Sequence, residues 1–406
     1  LLHFISTEAW PVSAADLLRA ASAHPELAPL VQELHDQFWG LLPGVHRLTF
    51  DGGRVLLTLC IGDAQTVLRQ QEWTVDSVYL DGFSPQRNPD LWDLHTLKAV
   101  ARCCRRGSQL ATWTVARAVR AALAECGFEV HRVPGVPPTR ENLHATYNPR
   151  WEPRARTATL PDAAPLASAQ HQHCLVIGGG LAGAAAAASL ARRGWQVQVL
   201  DQAAEPAAGA SGLPAGVFAP HVSPDDAVLS RLSRSGVRTT LQQASQRLQA
   251  GQDWGTTGVL EHRTDGTPGL PADWHTGPGA DWTIPAPESA REQAGLPPDA
   301  VACWHTRAGW IRPPQLVRAL LREPGVTWRG QCAVTSLRPA PGVGAAAPTE
   351  WQALDAQGQV LAQAPVVVIA AGAGSPTLLA ERWPLQPVRG QVSWGRYAAH
   401  LPPPAP

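Results

Sequence analysis

The sequence predicts two α/β domains in tandem, each organised on a mostly parallel sheet. Three observations lead there. Residues 1 to 135 alternate strand-like apolar runs with helix-like stretches; residues 149 to 172 interrupt that pattern with proline, alanine and polar residues; and Cys174 to Asp201 has the pattern of one strand–helix–strand unit with glycines at its first turn. The expected division is a domain over 1–150, a linker over 151–172 and a second domain over 173–406.

At 406 residues the chain is long enough for domains with substantial cores. Hydrophobic content of 44% and charged content of 16% fit a soluble globular protein, and the apolar runs are too short to cross a bilayer, so no membrane association is expected. Seven cysteines form an odd, scattered set without a C-x-x-C pair. That argues for a reducing cytoplasmic location and against a disulfide framework or a structural metal. With no methionine, and a strand-like start at Leu1, the chain is expected to be a fragment of a longer one. Charge is uneven: up to Leu97 there are twelve carboxylates against five arginines, whereas from Lys98 to Arg156 eleven bases face four carboxylates. Such an arginine-rich stretch suits either a phosphate backbone or a solvated surface.

Taken in order, Leu2–Ser6 alternates like a strand, Ser13 caps a helix running to about Ser22, and Pro25 opens another that extends to about Phe38. Val45–Phe50 and Val55–Leu59, joined through Asp51-Gly52-Gly53, predict a hairpin. Ile61–Ala64 leads into a short helix, and Val75–Leu80 forms a strand running into Asp81-Gly82-Phe83-Ser84-Pro85. A helix from Trp92 to Cys104, with the Cys103–Cys104 pair packed on it, a strand at Gln109–Trp113, a helix from Val115 to Cys126 and a strand at Glu129–Arg132 complete the alternation. Glu8, Asp63 and Asp81 then fall at the carboxyl ends of strands, where open α/β sheets bind ligands. Their joint placement is the layout of S-adenosylmethionine-dependent methyltransferases, although singly each carboxylate suits a turn or helix cap at least as well.

In the second domain Cys174–Ile177 predicts a buried strand, broken at Gly178-Gly179-Gly180. Gly178, Gly180 and Gly183 match G-x-G-x-x-G, which lets backbone approach a phosphate. An alanine-rich helix to Arg193 opens at that turn, so its free amides and dipole face a diphosphate. Gln196–Leu200 is the second strand, and Asp201, about 20 residues beyond the glycines, is placed for ribose hydroxyls. Gly209–Gly216, with Ser211 and Gly212, suits close backbone approach to a flat ring or phosphate. Farther on come a helix from Val228 to Leu248, a strand at Gly258–His262, Gly309–Pro313, a helix from Pro314 to Leu321, and strands at Val326–Arg329 and Gln331–Leu337. A buried strand at Val366–Ile369 ends in the small-residue turn Ala370–Ser375, which contains Ala371 and Gly372, and Val388–Val392 is expected to be a strand too. His171 and His173 fit surface positions better than metal ligands.

The segments LHFISTEAWP, TFDGGRVLLTLCIGDA, VYLDGFSPQRNPDLW, GFEVHRVPG and GASGLPAGVFAPHVSPDD resemble the MnmC family, bifunctional bacterial enzymes that complete 5-methylaminomethyl-2-thiouridine at the wobble position of certain tRNAs. The resemblance implies a Rossmann-like methyltransferase sheet followed by an FAD-binding D-amino-acid-oxidase-like domain, an α/β layer plus an antiparallel substrate sheet. It implies that FAD is held by Gly178, Gly180, Gly183, Asp201, Ser211, Gly212, Ala371 and Gly372, and S-adenosylmethionine by Glu8 and Asp63. Asp81 and Phe83 would then line the methyl-transfer site, the Asp81 carboxylate orienting an amine and taking its proton. A flavin would remove the carboxymethyl group from the side chain of a tRNA uridine, and the freed amine would be methylated. The family's first strand and final flavin segment have no counterpart in these 406 residues. Two other readings stay open: an oxidase of a free amino acid or small secondary amine, and a non-catalytic RNA-binding protein.

Overall fold

A computed structural model describes residues 1–135, 140–151, 172–264, 266–267, 269–274, 276–340, 350–379 and 384–395. Most of the expected linker and His171 lie outside the described residues.

The first segment begins with β1 (Leu2–Glu8) and α1 (Ala14–Ala21), whose N-terminus is capped by the Ser13 hydroxyl accepting the Asp16 amide. The long helix expected after Pro25 is instead a single 3₁₀ turn followed by α2 (Ala28–His35). Pro29, which has no N–H to give, sits in the first turn of α2, where none is needed, so the helix restarts there. β2 (Gly44–Phe50) and β3 (Val55–Ile61) form the expected antiparallel hairpin, and β1 pairs with the other edge of β3 in parallel. Glu8 and Ile61 therefore end side by side.

After α3 (Ala64–Gln70) come β4 (Val75–Leu80), α4 (Leu94–Arg102), β5 (Cys104–Thr112), α5 (Arg117–Glu125), β6 (Phe128–Pro134) and β7 (Glu141–Tyr147). They form a second sheet in the order β4-β5-β7-β6. Within this sheet the expected parallel pairing holds for β4 against β5 only, as it does for β1 against β3 in the other. β7, which the sequence pattern did not disclose, inserts antiparallel between β5 and β6. Cys103 and Cys104 do not pack as a helical pair, because α4 ends at Arg102 and Cys104 begins β5.

The second segment is built on four parallel strands, β8 (His173–Ile177), β9 (Gln196–Leu200), β16 (Val326–Arg329) and β20 (Val366–Ile369), in the order β16-β9-β8-β20. Alternation along β8 divides two cores. Cys174 and Val176 face α6 (Leu181–Ala191) through Ala187 and Ala191, whereas Leu175 and Ile177 face Ala353, Ala364 and Leu378. β20 is half-buried rather than buried, because it is the edge of this sheet.

Around this layer lie β10 (Gly216–Phe218), α7 (Val228–Arg247), β11 (Trp254–Gly255), β12 (Val259–His262), β13 (Thr283–Pro285), α8 (Glu288–Gln293), β14 (Ala302–His305), β15 (Gly309–Ile311) and α9 (Pro313–Leu321). β17 (Ser336–Pro339), β18 (Trp351–Leu354), β19 (Val360–Ala364) and α10 (Ser375–Leu378) close the described order. The antiparallel sheets are β10-β15-β11, β12-β14-β13 and β17-β18-β19. The strand expected over Gln331–Leu337 is shifted to β17. The strand expected at Val388–Val392 does not form: among the described residues this exposed stretch has no ladder partner, and a strand without one leaves its amides to water.

Candidate functional site

β8 is flanked by β9 on one side and β20 on the other, so the chain reverses direction across the sheet at its carboxyl end. That is where open parallel sheets leave a ligand crevice. Gly178 begins the crevice loop with φ of 109°, and an added Cβ there would lie 2.4 Å from the Ala370 carbonyl oxygen. At Gly183 a Cβ would lie 1.8 Å from the Gly178 oxygen, so both positions require glycine for close backbone packing. Gly180 is the N-cap of α6, and Ala184 donates to its carbonyl at 2.9 Å. No acceptor among the described residues meets the amides of Ala182 and Gly183 at this helix N-terminus.

The other residues expected to hold a flavin lie around the same loop. Ala370 donates to the Ile177 carbonyl at 2.8 Å, which sets the Ala371–Gly372 turn against Gly178. The Ser211 hydroxyl accepts the Leu181 amide at 3.0 Å, and Ala207 donates to the Gly179 carbonyl at 3.0 Å, seating the loop that carries Gly212. Two details differ from a fully open cradle. Asp201 accepts the Gly179 amide through Oδ2 at 2.6 Å and the Ala203 amide through Oδ1 at 2.8 Å, and the Leu181 amide is taken by Ser211. Orphan amides at a helix start bond to the nearest acceptor, and each carboxylate oxygen keeps a further lone pair. The glycine-shaped cradle, the two open amides and the carboxylate in the crevice fit a dinucleotide. Sequence reasoning missed Trp328 of β16, whose ring lies where a Gly179 side chain would be (2.1 Å). Nothing in residue spacing marks it.

The first-segment acids divide between two places. Glu8 and Asp63 share the carboxyl end of the β1–β3 pair, and Gly62 donates to the Glu8 carbonyl at 2.9 Å. Burial raises the Glu8 pKa. Asp63 is the N-cap of α3, its Oδ1 accepting both the hydroxyl and the amide of Thr66, bonds that lower its pKa. Asp81 follows β4 in the other sheet. The turn it opens is held by two indoles: Trp113 donates to the Gly82 carbonyl at 3.0 Å, and Trp92 to the Phe83 carbonyl at 2.7 Å. The turn backbone is thus held while Phe83 is left 73% exposed and the Asp81 side chain faces solvent, an arrangement open to a planar ring carrying an amine. Neither tryptophan was singled out from sequence.

Much of the arginine-rich stretch is occupied. Arg102 donates to the carbonyls of Leu68, Arg69 and Gln71 at the end of α3, Arg105 pairs with Asp76, Arg106 with Asn148 and Pro149, and Arg132 with Glu141. His221 Nδ1 lies 3.1 Å from the Ser230 hydroxyl. Among the described residues no group of three metal-ligating side chains occurs, and no helix is long and apolar enough to cross a membrane.

Comparison with known proteins adds two family matches: an S-adenosyl-L-methionine-dependent methyltransferase family over residues 25–148, and an FAD dependent oxidoreductase family over residues 173–403. A protein of Paracidovorax citrulli, named tRNA 5-methylaminomethyl-2-thiouridine biosynthesis bifunctional protein MnmC, is 62% identical over 98% of this chain and 62% of its own length. The protein of the same name from Ralstonia nicotianae is 40% identical over 97% of this chain and 59% of its own length. The chain thus spans about three-fifths of the curated relatives it matches. Among solved structures, a glycine oxidase from Bacillus cereus is 22% identical over 51% of this chain and 57% of its own, with a TM-score of 0.39.

Proposed function

The chain belongs to the FAD dependent oxidoreductase family, and on that premise we propose that it is a two-reaction enzyme finishing a modified wobble uridine in tRNA. The relatives' shared name, for the biosynthesis of 5-methylaminomethyl-2-thiouridine, supports this substrate. When bound, FAD supplies the oxidation that removes the carboxymethyl group from the uridine side chain, and S-adenosylmethionine supplies the methyl for the amine that remains.

The chain's own residues bind and position. Gly178, Gly180 and Gly183 keep the crevice open, the amides of Ala182 and Gly183 with the α6 dipole hold a diphosphate, and Asp201 receives ribose hydroxyls. Ser211, Gly212, Ala371 and Gly372 line the same crevice. In the first segment, over 1–150, Glu8 and Asp63 hold the methyl donor, Phe83 stacks against the uracil, and the Asp81 carboxylate orients the amine and takes its proton.

One observation carries the reading: the glycine loop, the α6 N-terminus and Asp201 meet at the reversal point of the β16-β9-β8-β20 sheet. The test is the absorption spectrum of the purified chain, followed by incubation with tRNA bearing the carboxymethylaminomethyl uridine and mass analysis of its nucleosides. A flavin spectrum and loss of the carboxymethyl mass are expected. A colourless chain, or oxidation of free glycine with no change in the RNA, refutes the reading.

A further inference from the structure

Between the two segments lies a cavity of about 680 Å³, walled by α2 and β2 on one side and by α7, β11 and the turn after β14 on the other. It contains no residue of the glycine crevice and none of the Asp81 turn. The Trp39 indole carries two guanidinium groups, Arg238 at 4.2 Å and Arg307 at 4.1 Å from its ring centroid.

The two cations are used differently. Arg238 is buried and donates to the carbonyls of Gln37 and Trp39. Arg307 lies on the same ring but meets no hydrogen-bond acceptor among the described residues. Such a group, held by an indole with its N–H fork open, is preorganised for a bidentate oxyanion. Partial burial lowers its pKa and the Asp281 carboxylate opposes that shift, while the side chain stays exposed to an incoming ligand.

One lining acid, Asp281, offsets part of the Arg307 charge without reaching hydrogen-bond distance of it. Asp281 accepts the Gly40 amide at 2.7 Å, and Asp36 accepts from Gln32 at 2.7 Å and lies 3.2 Å from His35. Glu33 alone among the lining carboxylates has no side-chain partner among the described residues. The rest of the wall is largely hydroxyl and amide, including Thr49, Gln246 and Thr306. One guanidinium and one carboxylate without hydrogen-bond partners among the described residues, with neutral polar groups around them, match a single RNA nucleotide, whose phosphate is anionic and whose 2′-hydroxyl and base offer donors. The volume is within the usual range of small-ligand sites.

We propose that this cleft anchors the RNA substrate, with Arg307 gripping one phosphodiester and Glu33 accepting from the adjoining nucleoside. The proposal rests on the tRNA reading above and adds a site of its own. Two successive reactions on one nucleotide require it to leave one centre and enter another, and an anchor in neither centre keeps the RNA bound during that exchange.

The experiment measures anisotropy of a labelled anticodon stem-loop RNA with the full chain between 50 and 200 mM salt. Arg307→Gln is expected to weaken binding about 10-fold and to reduce the log–log salt slope by about one. Arg307→Lys keeps the slope but loses affinity, which preserves the test if the glutamine variant fails to fold. Arg338→Gln, on exposed β17, is expected to change neither. Wild-type affinity and slope in the folded Arg307→Gln protein overturn the anchor while leaving the tRNA reading intact. Absence of RNA binding by the wild type at 50 mM salt refutes the tRNA reading itself.

Discussion

Protonation of His46 should loosen the junction between the two segments. The ring sits on β2, donates from Nε2 to the Leu42 carbonyl at 2.6 Å, and shares a small cavity with Arg231, Arg234 and Arg238. Burial, then the nearby charges of Arg238 and Arg234, lower its pKa to about 4, against the opposing effect of the Leu42 bond. A base with a depressed folded-state pKa binds fewer protons folded than unfolded, so stability is complete above pH 6.5 and is lost as pH falls toward 4. With an unfolded value of about 6.5 and a folded value of about 4, the loss is about 2 kcal/mol at pH 5 and about 3 kcal/mol at pH 4. Urea denaturation of the wild type and His46→Gln from pH 8 to 4 separates this term from other groups, because glutamine can still donate to Leu42 but does not titrate. The wild type should lose about 3 kcal/mol more than the variant over that range. Parallel stability curves for the two proteins would show that His46 is solvated and would refute the linkage.

Three further outcomes test the crevice and the junction. Gly183→Ala places a methyl carbon 1.8 Å from the Gly178 oxygen, so it should displace α6, lower stability by about 3 kcal/mol and abolish flavin retention on gel filtration. Asp201→Asn gives up one of two backbone acceptors and the negative charge; circular dichroism should stay unchanged while flavin retention falls at least several-fold. Arg238→Ala leaves the Trp39 carbonyl without its donor, leaves the Gln37 carbonyl only the Trp39 amide, and should cost about 2–4 kcal/mol, measured as a shifted thermal midpoint.

What the sequence disclosed depended on the range of the interaction. The Gly178–Asp201 unit was legible because its causes are local: an apolar strand, glycines where the chain turns, alanines where a helix meets a sheet, and an acid one strand later. The β2–β3 hairpin and the Ser13 cap were legible for the same reason. β7 was not, because Glu141–Tyr147 acquires its strand identity only by filling the gap between β5 and β6. The failed strand at Val388–Val392 is the converse, a β-prone sequence without a partner in the described sheets. Near the site, Trp113, Trp92 and Trp328 act through contacts 9 to 149 residues away in sequence, which no spacing rule reaches.

The junction is the strongest case of that limit. Arg234, Arg238, Gln242 and Gln246 recur every four residues along α7, a polar stripe of the kind that on a surface helix faces water. Arg234, Arg238 and Gln242 are instead buried: Arg234 bonds Asp226, and the last three positions bond Gln37, Trp39, Arg47 and Thr49 of the first segment. Trp282 donates to the Gly40 carbonyl at 2.8 Å across the same boundary. An apolar seam would tolerate sliding, because dispersion contacts have little directional demand; a seam of directed bonds to backbone carbonyls admits few registers. A rotation of α7 by one residue would turn this stripe by about 100° and strand several buried donors. The orientation of the two segments is therefore set by hydrogen-bond geometry across this seam.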